Sequence, residues 1–114
     1  MGTQPTAEWI DVCDIDVIPP FSGVAALVCG EQIAIFRIGS DKEIYAVSNY
    51  DPFSQTYVMS RGIVGDRNGV LKVASPIYKQ SFNLMTGDCL DDPSRWLLTF
   101  PARVVDNIVQ VGLP

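Results

Sequence analysis

Val24-Ala-Ala-Leu-Val-Cys-Gly-Glu-Gln-Ile-Ala-Ile-Phe-Arg-Ile38 holds two apolar runs, Val24 to Cys29 and Gln32 to Ile38, on either side of Gly30-Glu31. A two-residue link that includes glycine suits a tight hairpin, because turns of that kind need positive φ and glycine adopts it without steric cost. The stretch therefore predicts a pair of antiparallel strands. The same grammar extends outward in both directions. Upstream, Trp9 to Cys13 alternates apolar and polar residues, and Ile18-Pro-Pro-Phe-Ser-Gly23 closes that strand with two prolines that cannot donate into a central ladder. Downstream, Gly39 to Lys42 turns the chain into Glu43 to Val47, which is rich in β-formers.

Further along, Gly62 to Gly65 and Val70 to Ala74 flank Asp66-Arg-Asn-Gly69, whose Asn-Gly pair favours a second hairpin. Ser81 to Leu84 alternates again before the turn Met85-Thr-Gly87. Leu97 to Phe100, Ala102 to Val105 and Ile108 to Val111 then complete the sheet, the last two joined through Asp106-Asn107. No segment keeps an i, i+3, i+4, i+7 apolar pattern for three turns, and only Pro93 to Leu98 suggests a short helical turn. The fold class expected is all-β, a small sandwich or barrel. With 114 residues the chain suits one domain, expected over residues 8–114 behind a loose lead-in at residues 1–7.

Composition removes several function classes. The apolar runs are far shorter than the roughly 20 residues of a bilayer-spanning helix, and Met1 to Glu8 lacks the basic start and apolar middle of a secretory signal. Acidic residues outnumber basic ones, 13 to 8, and the basic ones are scattered, which leaves no concentrated positive face for nucleic acid or anionic lipid. Cys13, Cys29 and Cys89 are odd in number and far apart, which fits neither a disulfide framework nor a zinc site and points to the cytoplasm. Cys13 and Cys29 each end an apolar run and read as small buried hydrophobes, while Cys89, beside Gly87 and Asp88, reads as more exposed. There is no histidine, so histidine general bases, Ser-His-Asp and Cys-His arrangements and histidine metal ligation are all absent.

Four stretches then carry a resemblance. Asn49-Tyr-Asp-Pro-Phe53, Gly62-Ile-Val-Gly65, Ala74-Ser-Pro-Ile-Tyr78 and Ser81 to Gly87 resemble the skeleton of a Rieske domain. In members with a cluster, the first loop carries Cys-x-His and the second Cys-Pro-x-His, so that two thiolates hold one iron and two imidazoles the other. By that resemblance the ligand positions fall on Asp51 and Phe53 in the first loop and on Ser75 and Tyr78 in the second, leaving no competent ligand set and no cofactor in this chain. A short, free-standing Rieske-like chain without the ligands is similar to the small subunits of assimilatory NAD(P)H-dependent nitrite reductases. The resemblance implies an accessory role in reducing nitrite to ammonium in nitrate assimilation. It also implies a large-subunit partner carrying FAD, a [4Fe–4S] cluster, siroheme and the NAD(P)H site. The alternative is an interaction module with an unrelated partner.

Where the cluster would sit, Tyr50, Phe53, Tyr57, Ile77 and Tyr78 either fill the space or present an aromatic patch to the partner. Plugging suits Phe53 and Tyr78, since an apolar void would destabilise the loops. Tyr50, Tyr57 and Ile77 are the interface candidates, Tyr50 and Tyr57 foremost. Asp11, Asp14 and Asp16, and later Asp88, Asp91 and Asp92, lack the ligand spacing of a calcium loop and read as solvated turns. Trp9 and Trp96 read as core or rim packing, with Trp96, beside Arg95, also suited to an interface edge.

Overall fold

An unbroken buried run, Ile33-Ala-Ile-Phe36, is unusual for a half-exposed strand, where every second residue meets water. The computed structural model, which describes residues 8–39 and 42–113, explains it. Among the described residues twelve strands follow one another: β1 (Glu8–Asp14), β2 (Ser22–Val28), β3 (Glu31–Ile38), β4 (Glu43–Ser48), β5 (Tyr50–Asp51), β6 (Thr56–Tyr57), β7 (Ile63–Arg67), β8 (Val70–Ala74), β9 (Ser81–Asn83), β10 (Thr99–Phe100), β11 (Ala102–Val105) and β12 (Ile108–Leu113). They form antiparallel sheets in the orders β10-β4-β3-β2, β1-β12-β11 and β7-β8-β9, with β5-β6 as a small ribbon.

The β10-β4-β3-β2 sheet has a hydrophobic core on each face. Ile33 and Ile35 of β3 pack with Ile44, Ala46, Val109 and Val111 on one side. Ala34 and Phe36 point the other way, to Val47, Val73, Phe82 and Leu84. Period-two alternation thus persists in β3, but both phases are apolar because both faces are covered.

Short polar contacts set the corners. Asp14 caps a single 3-10 turn (Ile15–Val17) by accepting from the Asp16 N–H at 2.9 Å. Arg37 reaches back from β3 to donate to the carbonyls of Ile15 (3.3 Å) and Ile18 (3.1 Å). A second 3-10 turn (Met59–Arg61) hangs on Asn49, whose side-chain oxygen accepts from the Ser60 N–H at 2.7 Å and whose carbonyl accepts from Met59 at 3.1 Å. Neither turn has a sequence period of its own, since each is shorter than the window in which periodicity registers.

The hairpins form where expected, with one adjustment. The first turn is Cys29-Gly30, with φ of 49° and 85°, and Glu31 opens β3 opposite Val28. The Cys29 side chain is consequently exposed, not buried, while Cys89, expected to be more open, is buried in the second core at 5% exposure. Cys13 is half-buried, and burial together with the neighbouring Asp14 raises its thiol pKa, which keeps it protonated and unreactive. Pro93 to Leu98 contains no helix: a turn from Asp92 to Arg95, closed by Arg95 N–H to the Asp92 carbonyl at 3.1 Å, leads directly to extended chain. The expected lead-in at residues 1–7 lies outside the described residues. Among the described residues no helix is long and apolar enough to cross a membrane.

Candidate functional site

Two loops rise from the second core. The first joins β4 to the Met59–Arg61 turn through the β5-β6 ribbon, where Tyr50 faces Tyr57 and Asp51 faces Thr56. The second runs from Ser75 to Gln80 and is closed on itself: the Ser75 N–H donates to the Gln80 carbonyl at 2.9 Å and the Lys79 N–H to the Ser75 carbonyl at 3.1 Å. Lys79 takes φ of 68° to make that closure. An aspartate followed by proline favours a local turn in which the carboxylate caps the N–H two residues on. Asp51 does this to Phe53 at 2.9 Å.

The loops meet through Asp51 and Ser75, both at 0% exposure. Asp51 Oδ2 accepts from the hydroxyls of Ser54 at 2.8 Å and Ser75 at 2.5 Å, and Ser54 shares a further hydrogen bond with Thr56 at 2.7 Å. The Ser75 oxygen in turn accepts from the Ile77 N–H at 3.2 Å. Burying a carboxylate without a cation is expensive unless donors replace the lost water. Here two hydroxyls and one amide supply three of its hydrogen bonds. The result is a polar clasp between the loops.

The four residues at the ligand positions do not fit a [2Fe–2S] cluster. The Ser75 hydroxyl is already engaged as a hydrogen-bond donor to Asp51, where a thiolate pair would be required. Phe53 has no lone pair and packs inward, its ring 6.0 Å from that of Phe82, with the Arg95 guanidinium 5.5 Å from its centroid. Tyr78, expected to plug the site, is instead 60% exposed, because the closed second loop turns its side chain outward. The cysteines lie elsewhere, and among the described residues no group of three metal-ligating side chains forms. The aspartate clusters flagged in the sequence share that outcome.

The interface candidates divide by exposure. Tyr57 is 55% and Ile77 46% exposed, and Tyr50 is half-buried against Tyr57 in an edge-on pair with centroids 5.2 Å apart. Arg95 and Trp96 are additions that the sequence only hinted at: Arg95 donates to the Pro52 carbonyl at 3.2 Å, across 43 residues of chain. No local pattern announces a contact of that separation.

Behind the second loop, Asp91 anchors the chain that follows β9. It accepts from the Ser81 N–H at 2.8 Å and pairs with Arg67 at 3.0 Å. Arg67 and Lys72 also donate to the buried Ser81 hydroxyl, at 3.2 and 3.1 Å. The Ser81 amide first, then Arg67, hold the Asp91 carboxyl below its usual 3.8. A depressed folded-state value means that Asp91 stabilises the fold fully above the ordinary carboxylate pKa, and less as pH falls through the folded value. The urea midpoint of the natural protein should therefore exceed that of Asp91→Asn at neutral pH, and the gap should narrow as the pH falls below the ordinary carboxylate value of 3.8. A gap independent of pH would show that the charge is irrelevant.

Comparison with known proteins follows the same lines. The family described as Rieske-like [2Fe-2S] domain matches residues 8–112. The small subunit of nitrite reductase (NADH) of Escherichia coli strain K12 is 44% identical over 105 residues, spanning 92% of this chain and 97% of that one. The solution structure of the nitrite reductase [NAD(P)H] small subunit of Erwinia carotovora superposes with a TM-score of 0.81 at 44% identity, over 93% of this chain and 82% of that chain. The nitrite reductase [NAD(P)H] large subunit of Klebsiella oxytoca is 38% identical over 108 residues, which are 95% of this chain but only 11% of that polypeptide. The chain thus belongs to the Rieske-like [2Fe-2S] domain family and, within it, to the small subunits of NAD(P)H nitrite reductase.

Proposed function

We propose that this chain is the accessory small subunit of an NAD(P)H-dependent nitrite reductase, that it docks on the large subunit through its two loops, and that it holds no iron–sulfur cluster. The observation that carries the reading is the Klebsiella oxytoca relative, in which a domain similar to almost the whole of this chain is part of the large polypeptide itself. A covalent link of this kind holds two surfaces at effective concentrations of about millimolar without altering either one. Its existence supports a persistent contact between the separate chains. Glu8 pairs with Leu113 in β1 and β12, so a tether joined at either strand leaves from the β1-β12-β11 sheet and not from the loops.

Charge supports the loops as the contact. Residues 49–97 hold five acidic and five basic side chains, so the whole net charge of −5 resides outside them. Within this net-neutral span the loops bear exposed Tyr57, Ile77 and Tyr78, side chains that are readily desolvated against a partner. Nitrite would be reduced to ammonium on the large subunit, which carries FAD, a [4Fe–4S] cluster, siroheme and the nicotinamide site. This chain contributes assembly and the geometry of electron transfer. The assembly is cytoplasmic, in keeping with cysteines that remain free thiols.

The test is co-expression with a tagged large subunit, followed by affinity, iron content and nitrite-dependent NADH oxidation. The isolated chain should be colourless and iron-free. Tyr57→Ala with Ile77→Ala, both surface changes, should weaken the complex by about tenfold or more. Stoichiometric iron in the isolated chain, or no complex with the large subunit, would overturn the reading.

A further inference from the structure

Trp96 is 62% exposed, yet its backbone is fixed from both sides by its neighbours. It forms a bridge with Asp88, and its neighbours are tied by Leu97 N–H to the Gly87 carbonyl at 2.7 Å and Cys89 N–H to the Arg95 carbonyl at 3.2 Å. Leu97 beside it is buried in the second core, and Leu98 beyond it is again exposed at 59%. Alternation in extended chain thus sets Trp96 and Leu98 outward while Leu97 pins the segment. An exposed indole on a fixed backbone loses little freedom when covered, which is the property of an anchor residue.

The surroundings say what would cover it. Pro52, Ser94, Arg95 and Trp96 line an open cleft of about 310 Å³. Ser94 is occupied within its own turn, its hydroxyl and N–H both donating to Asp92 at 2.7 and 3.0 Å. The cleft therefore offers few polar groups to orient a small polar ligand. Arg95 gives one N–H to Pro52 and, among the described residues, forms no ion pair. Its remaining donors suit a carboxylate. Because Arg95 rests on Pro52 and Phe53, the cleft is continuous with the first loop.

We propose that Trp96 and Arg95 form the anchor of the large-subunit contact, with the Pro52–Trp96 cleft receiving an apolar side chain that lies next to a carboxylate on that subunit. This rests on the docking role proposed above and names the group that dominates it.

The experiment labels the small chain alone with 5-fluorotryptophan, which gives two ¹⁹F resonances, from Trp9 and Trp96, and adds unlabelled large subunit. The Trp96 resonance should shift and lose its H₂O/D₂O dependence, while that of Trp9, stacked under Arg103 at 4.0 Å on the outer sheet, should keep its chemical shift. In a parallel binding titration, Trp96→Ala should weaken the complex about thirtyfold. Arg95→Ala should weaken it less and flatten its salt dependence. Leu27→Ala, at the 72% exposed Leu27 of β2, should leave affinity within about twofold. A complex of full affinity in Trp96→Ala, with the Trp96 resonance unmoved, would overturn the anchor and leave the docking role standing. Failure of the natural chain to bind the large subunit would remove both.

Discussion

Gly87→Ala should lose about 4 kcal/mol of folding stability, whereas Gly69→Ala should lose about 1 kcal/mol. Both glycines have left-handed φ, +83° at Gly87 and +85° at Gly69, so the backbone strain imposed by a Cβ is nearly the same. Space distinguishes them. A Cβ on Gly69 meets nothing within 4 Å, but one on Gly87 would lie 2.0 Å from the Leu97 carbonyl oxygen and 3.1 Å from the Leu97 carbonyl carbon. The obstacle is main chain, so no rotamer change relieves it. The Asn83–Gly87 turn and the 95–97 segment, which hold each other through Leu97 N–H to Gly87 carbonyl at 2.7 Å, would have to separate. Leu97 would leave the core and Trp96 would lose its support, so large-subunit affinity should fall with stability. Urea denaturation of both variants measures the difference; equal losses would show that φ strain alone governs these positions.

Legibility of the fold followed the range of the interactions involved. The hairpin at Asn68-Gly69 is written in two adjacent residues, with φ of 54° and 85°, and so is the turn at Asp106-Asn107. The β5-β6 ribbon escaped the sequence reading because two residues per strand carry no period. What holds it lies elsewhere: Met59 N–H on the Asn49 carbonyl, and Ser75 on Asp51. One residue of register decides Cys29, since a turn at Gly30-Glu31 puts it in a strand and the turn at Cys29-Gly30 puts it at the tip.

The site was legible as a pattern of loops and illegible as chemistry. Aspartate and serine at the ligand positions could be read from the sequence, but not that they would meet across 24 residues with neither exposed. The sequence alone favours an interior Tyr78, because an aromatic residue near a hole tends to fill it. Phe53 lies against Phe82, and the closure of the second loop through Ser75 and Gln80 sends Tyr78 to the surface.

The clasp itself should show strong non-additivity. Asp51→Ala should cost about 3 kcal/mol, because the Ser75 and Ser54 hydroxyls and the Phe53 amide all lose their acceptor, and the Ser75 hydroxyl is left buried without one. Ser75→Ala should cost about 2 kcal/mol, because it leaves a buried carboxylate with one donor fewer and the Ile77 N–H without its acceptor. The double variant removes both ends of the shared hydrogen bond. Ser54 retains Thr56 as an alternative partner at 2.7 Å, so the pair together should cost about 3 kcal/mol, roughly 2 kcal/mol less than the sum of the single losses. Urea unfolding of the four proteins closes the cycle. Additive losses would mean that Asp51 and Ser75 stabilise their loops separately and that nothing joins the two. A large coupling would mean that the loops form one rigid tip, and both single variants should then weaken the large-subunit complex although neither residue is exposed to touch it.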